Sequence, residues 1–119
     1  MLPERIADID ITMSKDTQGD DVLQRFRSAL GEIYGRRLER VVLFGSRARG
    51  DAKPDSDYDV AVFLDDLSDR WAELDRLADL RIRFLDETGV FFDAKPYPLT
   101  AYGNDTPLMF EIRREGVDL

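Results

Sequence analysis

Apolar positions Val22, Leu23, Phe26, Leu30, Ile33 and Tyr34 recur at helical spacing and stop at Gly35. Asp20 and Asp21 are good N-cap types, so the spacing predicts an amphipathic helix from there to Gly35. The continuous run Arg40-Val41-Val42-Leu43-Phe44, closed by Gly45-Ser46, reads as a short buried strand. Ser46 to Asp55 is polar and carries Gly50 and Pro54, which suits one turn of helix followed by a loop. Asp57 to Leu64, rich in β-branched and aromatic residues, is expected to be a second strand.

Ser68 or Asp69 should cap a long helix whose apolar side holds Trp71, Leu74, Leu77, Ala78, Ile82 and Leu85 and whose opposite face is charged and solvated; Thr88-Gly89 ends it. Val90 to Lys95 reads as a third strand terminated by Pro96 and Pro98. Thr106 as N-cap and Pro107 at the first helical position introduce a last helix through Leu108, Met109, Phe110 and Ile112, ending near Gly116. Helices and strands thus alternate, an α/β (α+β) arrangement. No repeat or linker interrupts it, so one compact unit is expected over residues 20–119. Residues 1–19 read as an N-terminal extension: Ile6, Ile9 and Ile11 can pack, but Thr12 to Asp20 is polar and looks like a loop.

Composition narrows the function. The 119 residues are one domain's worth of chain, and 43% apolar residues provide a modest core. Asp and Glu number 25 against 17 Lys and Arg, a formal charge of −8, which argues against direct nucleic-acid binding or a basic membrane-surface helix. There is no membrane-length apolar run and no signal-peptide pattern in Met1-Leu2-Pro3-Glu4-Arg5, so a cytoplasmic location is expected. Cys and His are both absent. Thiol nucleophiles, Ser-His catalysis and the usual zinc sites are excluded, leaving carboxylates, hydroxyls, amines and guanidinia for chemistry.

Those groups concentrate in Gly45-Ser46-Arg47-Ala48-Arg49-Gly50 and Ser56-Asp57-Tyr58-Asp59, between two expected strands. A glycine directly after a strand lets a phosphate approach the backbone, and Ser46 adds a hydroxyl donor. Arg47 and Arg49 lie close enough in sequence to neutralise triphosphate charge. Asp57 and Asp59, two apart on a strand, face the same side with carboxylates about 6–7 Å apart. Two hard cations ~3.5–4 Å apart can be held between such groups. Asp93 interrupts an otherwise apolar strand, where an unpartnered charge is costly; it is the candidate third acid, as general base, metal ligand or both.

Leu43-Phe44-Gly45-Ser46-Arg47-Ala48-Arg49-Gly50 through Ser56-Asp57-Tyr58-Asp59, with Asp93 and the ending Ile112-Arg113-Arg114-Glu115-Gly116-Val117, resembles the polymerase-beta-type nucleotidyltransferase superfamily. More narrowly it is similar to the minimal nucleotidyltransferases, the MntA-like antitoxins paired with HEPN ribonuclease toxins. The resemblance implies a small mixed central β-sheet with flanking helices, ATP as substrate and Mg²⁺, two ions, on Asp57, Asp59 and Asp93. Gly45, Ser46, Arg47 and Arg49 would bind the nucleotide phosphates. It further implies AMP transfer to a tyrosine of a HEPN-type toxin within a hetero-oligomer.

Plainer readings stand beside these. Gly45-Ser46 can be a strand-ending turn, Asp57 a turn residue, and Asp93 the partner of Lys95 in an ion pair. Only 26 residues follow Asp93, too few for a separate acceptor-binding domain, so the acceptor is expected from another protein. The competing functions are an antitoxin that neutralises by binding alone and a small-molecule nucleotidyltransferase of the aminoglycoside type.

Overall fold

The computed structural model describes residues 14–119, with side chains from Asp21 onward. Helix α1 (Ser14–Tyr34) leads through a 3-10 turn (Gly35–Arg37) into β1 (Leu38–Phe44). A single helical turn, α2 (Ser46–Arg49), precedes β2 (Tyr58–Leu64), α3 (Arg70–Thr88) and β3 (Phe92–Pro98). A second 3-10 turn (Leu99–Gly103), α4 (Pro107–Glu115) and β4 (Val117–Asp118) complete the chain. The four strands form one sheet in the order β3-β2-β1-β4, parallel between β2 and β3 and antiparallel elsewhere. It is the expected small mixed sheet with flanking helices.

The caps follow the sequence chemistry. Asp69 accepts from the Ala72 backbone N–H at the start of α3, and Thr106 accepts from that of Met109 at the start of α4. Gly89 ends α3 in the left-handed region.

Alternation along the strands divides the core. Val41, Leu43, Val60, Val62, Phe92 and Ala94 face α1 and α3. Their centre is an aromatic cluster in which Phe26 stacks on Phe92 at 4.0 Å and Phe84 meets both edge-on. On the other face a smaller cluster joins Val42, Ala61 and Phe63 to Met109 and Ile112 of α4.

Several expectations are corrected. Helix α1 begins at Ser14, ahead of the acids expected to cap it, so the expected loop from Thr12 to Asp20 is helical from Ser14 on; the rest of the proposed extension, with Ile6, Ile9 and Ile11, lies outside the described residues. Strand β3 starts at Phe92 rather than Val90 and runs through Pro96 and Pro98. The prolines are tolerated because β3 is an edge strand: two apart, both direct their missing N–H away from β2. Helix α3 is rotated from its expected phase. It buries Glu73, Leu77, Leu80 and Phe84, whereas Trp71, Ile82 and Leu85 are exposed. Two apolar stripes run along this helix, and the one bearing Phe84 completes the aromatic cluster. Glu73, expected on the solvated face, is buried between Arg37 at 2.6 Å and Arg76 at 2.9 Å.

Candidate active site

Strand register brings the central acids together. On β2, Asp59 is paired with Phe44 of β1 on one side and with Asp93 of β3 on the other. Residues opposite each other on adjacent strands share a face, so the Asp59 and Asp93 side chains stand beside one another. They lie on the face of Ala61 and Phe63, at the end of the sheet.

Gly45 follows Phe44 and closes over this position. Its φ of 77° lies where L side chains are rarely accommodated, and a Cβ there would collide with Asp59 Oδ2. The Gly45 carbonyl accepts from the Ala48 and Arg49 N–H groups at 3.1 and 3.0 Å, folding Ser46 into the first turn of α2. The glycine is therefore required twice, for its backbone conformation and for the close approach to the carboxylate.

The electrostatics of Asp59 are those of an uncompensated acid. Burial raises its pKa above the ordinary value, and repulsion from Asp93, Asp57 and Glu111 adds to this; Lys95 opposes. Lys95 Nζ lies 3.9 Å from Asp93 Oδ2, so the plainer reading of Asp93 as an ion-pair partner has a geometric basis. Glu111, brought in by α4, was not singled out in the sequence; no local pattern links it to Asp59.

Asp57 stands one residue before β2 and is exposed. Among the described residues no group of three or more acidic side chains is gathered tightly enough to hold a metal ion. The charges of Asp57 and Asp93 are felt at Asp59, but the three acids do not form a finished cation nest.

Both arginines near Ser46 are engaged. Arg47 donates to the Ser56 carbonyl at 2.9 and 3.3 Å and to that of Pro54 at 3.2 Å, with its guanidinium 4.5 Å from the centre of the Tyr58 ring. It straps the loop that delivers Asp57. Arg49 lies within 3.3–3.5 Å of Asp51, Glu111 and Glu115 and ties α2 to α4. A cleft of about 650 Å³ opens beside Asp57, between Arg25, Arg47, Tyr58, Val90 and Phe91; neither Asp59 nor Asp93 lines it.

Residues 23–98, well over half of the chain, match the family described as "Nucleotidyltransferase domain". The chain belongs to the nucleotidyltransferase domain family. It is 32% identical over 75 residues to "Putative protein adenylyltransferase MJ0604" of Methanocaldococcus jannaschii, covering 63% of this chain and 69% of that protein. A second protein of that organism, "Putative protein adenylyltransferase MJ0141", is 36% identical over 47 residues, covering 40% of this chain and 48% of its own. The fold is shared with a chain of a toxin-antitoxin crystal structure with AMP-PNP, at a TM-score of 0.55 and 22% identity, covering 79% of this chain and 69% of that one. It is shared as well with a chain of a toxin-antitoxin MntA-HpeT mutant, at 0.54 and 20%, covering 76% and 66%. Gly45, Ser46, Asp57, Asp59 and Asp93 all fall inside the family match. The nucleotidyltransferase activity expected from the sequence agrees with this membership. No described helix is long and apolar enough to cross a membrane.

Proposed function

We propose that the protein is a Mg²⁺-dependent adenylyltransferase that moves AMP from ATP to a hydroxyl, a tyrosine, of a partner HEPN ribonuclease toxin and so acts as its antitoxin. The carrying observation is the pairing of Asp59 with Asp93 beneath Gly45, in a chain of nucleotidyltransferase family. The similarity to proteins named protein adenylyltransferases supports a protein acceptor, and the fold shared with toxin-antitoxin complexes, one with AMP-PNP, supports the nucleotide and the partner class.

The donor set fits Mg²⁺. Asp57, Asp59 and Asp93 offer hard oxygen ligands, and Asp59, whose pKa is raised first by burial and then by the acids around it, would be held ionised by a cation. When bound, Mg²⁺ supplies charge neutralisation for the triphosphate and the reacting phosphorus. Gly45 makes room for the Asp59 carboxylate, and the Ser46 hydroxyl that follows it donates to phosphate oxygens. Asp93 takes the proton of the acceptor hydroxyl as its oxygen bonds to the α-phosphorus. The bond to the β-phosphate breaks, and pyrophosphate leaves. Arg47 serves by holding the Pro54–Ser56 carbonyls, which sets the reach of Asp57.

One observation favours a second reading, an antitoxin that works by binding alone: Lys95 already partners Asp93. Incubation with α-labelled ATP, Mg²⁺ and the protein encoded beside it separates the two, read by intact mass. Label on the partner that disappears in Asp57→Asn supports transfer. Neutralisation of the partner's toxicity that survives Asp57→Asn with Asp59→Asn supports binding alone, and transfer to a small molecule without any protein acceptor supports the aminoglycoside-type alternative.

A further inference from the structure

Beside the core-facing side of α3 runs a second apolar stripe, exposed at Trp71, Ile82 and Leu85 and half-buried at Leu74 and Ala78. Trp71, Leu74, Ala78, Ile82 and Leu85 follow at intervals of three and four residues, the spacing of a seam for a second helix. Trp71 is 79% exposed, Ile82 66% and Leu85 44%. The helix does not need this stripe for its own core, since Leu77, Leu80 and Phe84 already join it to the sheet. A solvated helix face is ordinarily polar, and large apolar side chains left exposed at both ends of such a stripe mark a contact surface.

The charges flanking the stripe are unequal. On a helical projection Asp75, Asp79 and Asp86 border one side, and Arg70 and Arg81 the other. The arginines are already used within the chain: Arg70 donates to the Pro96 carbonyl at 3.0 Å, and Arg81 lies over the Phe91 ring. The three aspartates are exposed and make no ion pair among the described residues. Antiparallel self-pairing would set aspartates against aspartates, between chains of charge −8.

We propose that this stripe is the surface on which the acceptor protein docks, through a helix with apolar residues against Trp71 and Ile82 and with Lys or Arg opposite Asp75, Asp79 and Asp86. It rests on the reading that the acceptor is a partner protein. The stripe is separate from the acids that carry the chemistry, so docking and transfer can fail independently.

Trp71 is the sole tryptophan of the chain and reports on its own surroundings. The full chain is mixed with the protein encoded beside it, freed of tryptophan by substitution to Phe. Emission of Trp71, complex mass by light scattering and AMP transfer by intact mass are then read. The expected result is a complex with blue-shifted emission. Ile82→Glu should weaken it about 30-fold or more with an unchanged Tm, and Asp75→Lys/Asp79→Lys/Asp86→Lys should weaken it as well. Asp57→Asn should keep the complex and lose transfer. A complex that persists in Ile82→Glu with unshifted emission overturns the docking surface while leaving the transferase reading intact. A complex lost in Ile82→Glu but inactive in the wild type supports the surface and overturns the transferase reading. A blue shift and doubled mass in the chain alone, or no complex with the wild type, overturns the docking proposal.

Discussion

Asp59 and Asp93 are register partners on the parallel strands β2 and β3, so each meets the other's charge directly. Burial and the neighbouring acids together hold Asp59 above the ordinary carboxylate range. A raised pKa means that the folded chain binds this proton more tightly than the unfolded chain does. Its stabilising contribution is complete below the unfolded value and is lost as pH rises through the folded one. At neutral pH without divalent ions, Asp59→Asn should therefore have a higher Tm than the wild type, by thermal melts across pH, with the gap closing in acid. The same change should lower transfer by at least about 10²-fold. Mg²⁺ with ATP should raise the wild-type Tm and leave that of Asp59→Asn nearly still. An Asp59→Asn protein less stable than the wild type at neutral pH would contradict the burial and repulsion assigned to Asp59.

Gly45→Ala should be damaging in both respects. The added methyl would require an unfavourable φ and would strike Asp59 Oδ2, a combination worth about 1–3 kcal/mol of stability. Nucleotide binding, followed by calorimetry with ATP and Mg²⁺, should weaken along with it. Gly50→Ala is the control: it has positive φ too but meets no neighbour, so it should lose stability and keep its affinity for nucleotide.

Arg47 acts through a planar fork that spans two carbonyls and stacks on Tyr58. Lysine has the charge but not the geometry. Arg47→Lys should thus fail to rescue Arg47→Ala: both should speed hydrogen exchange around Ser56 and lower transfer by up to about 10²-fold as Asp57 is misplaced.

Glu73 gives the opposite pH dependence from Asp59. Burial pushes its pKa up, but hydrogen bonds from Arg37 and Arg76 outweigh that and hold it below the usual range. Its contribution is present above the unfolded pKa and fades as pH falls through the folded one. Glu73→Gln should cost about 1–3 kcal/mol near neutrality, measured by urea unfolding, and progressively less in acid.

Much of this architecture is legible from local chemistry. The caps at Asp69 and Thr106, the breaks at Gly35 and Gly89 and the strand runs ending in Gly45 and beginning near Asp57 are encoded within a few residues of where they act. What could not be read depended on distant parts of the chain. The sequence of α3 offers two apolar stripes, and only Phe26 and Phe92, from other elements, select the one with Phe84. Pro96 and Pro98 stop a strand that is paired on both sides but not one at an edge, and edge position is a property of the whole sheet. At the site, the approach of Gly45 to Asp59 is legible in the motif, whereas the place of Asp93 beside Asp59 depends on the register of β3 against β2, and local alternation alone does not give it. The engagement of Arg47 by loop carbonyls and of Arg49 by acids of α4 is not legible there, nor is the influence of Glu111.

The edge position of β3 limits how the molecule can associate. Another chain extends a sheet by bonding to an outward row of backbone N–H groups. On β3 that row is interrupted at Pro96 and Pro98, and the Pro96 carbonyl is already taken by Arg70. Strand addition is blocked along this margin, and with it the backbone-templated stacking that seeds fibres from crowded β proteins. Recruitment of any companion chain at this edge has to rely on side chains, whose contacts can be tuned by single substitutions where a backbone ladder cannot.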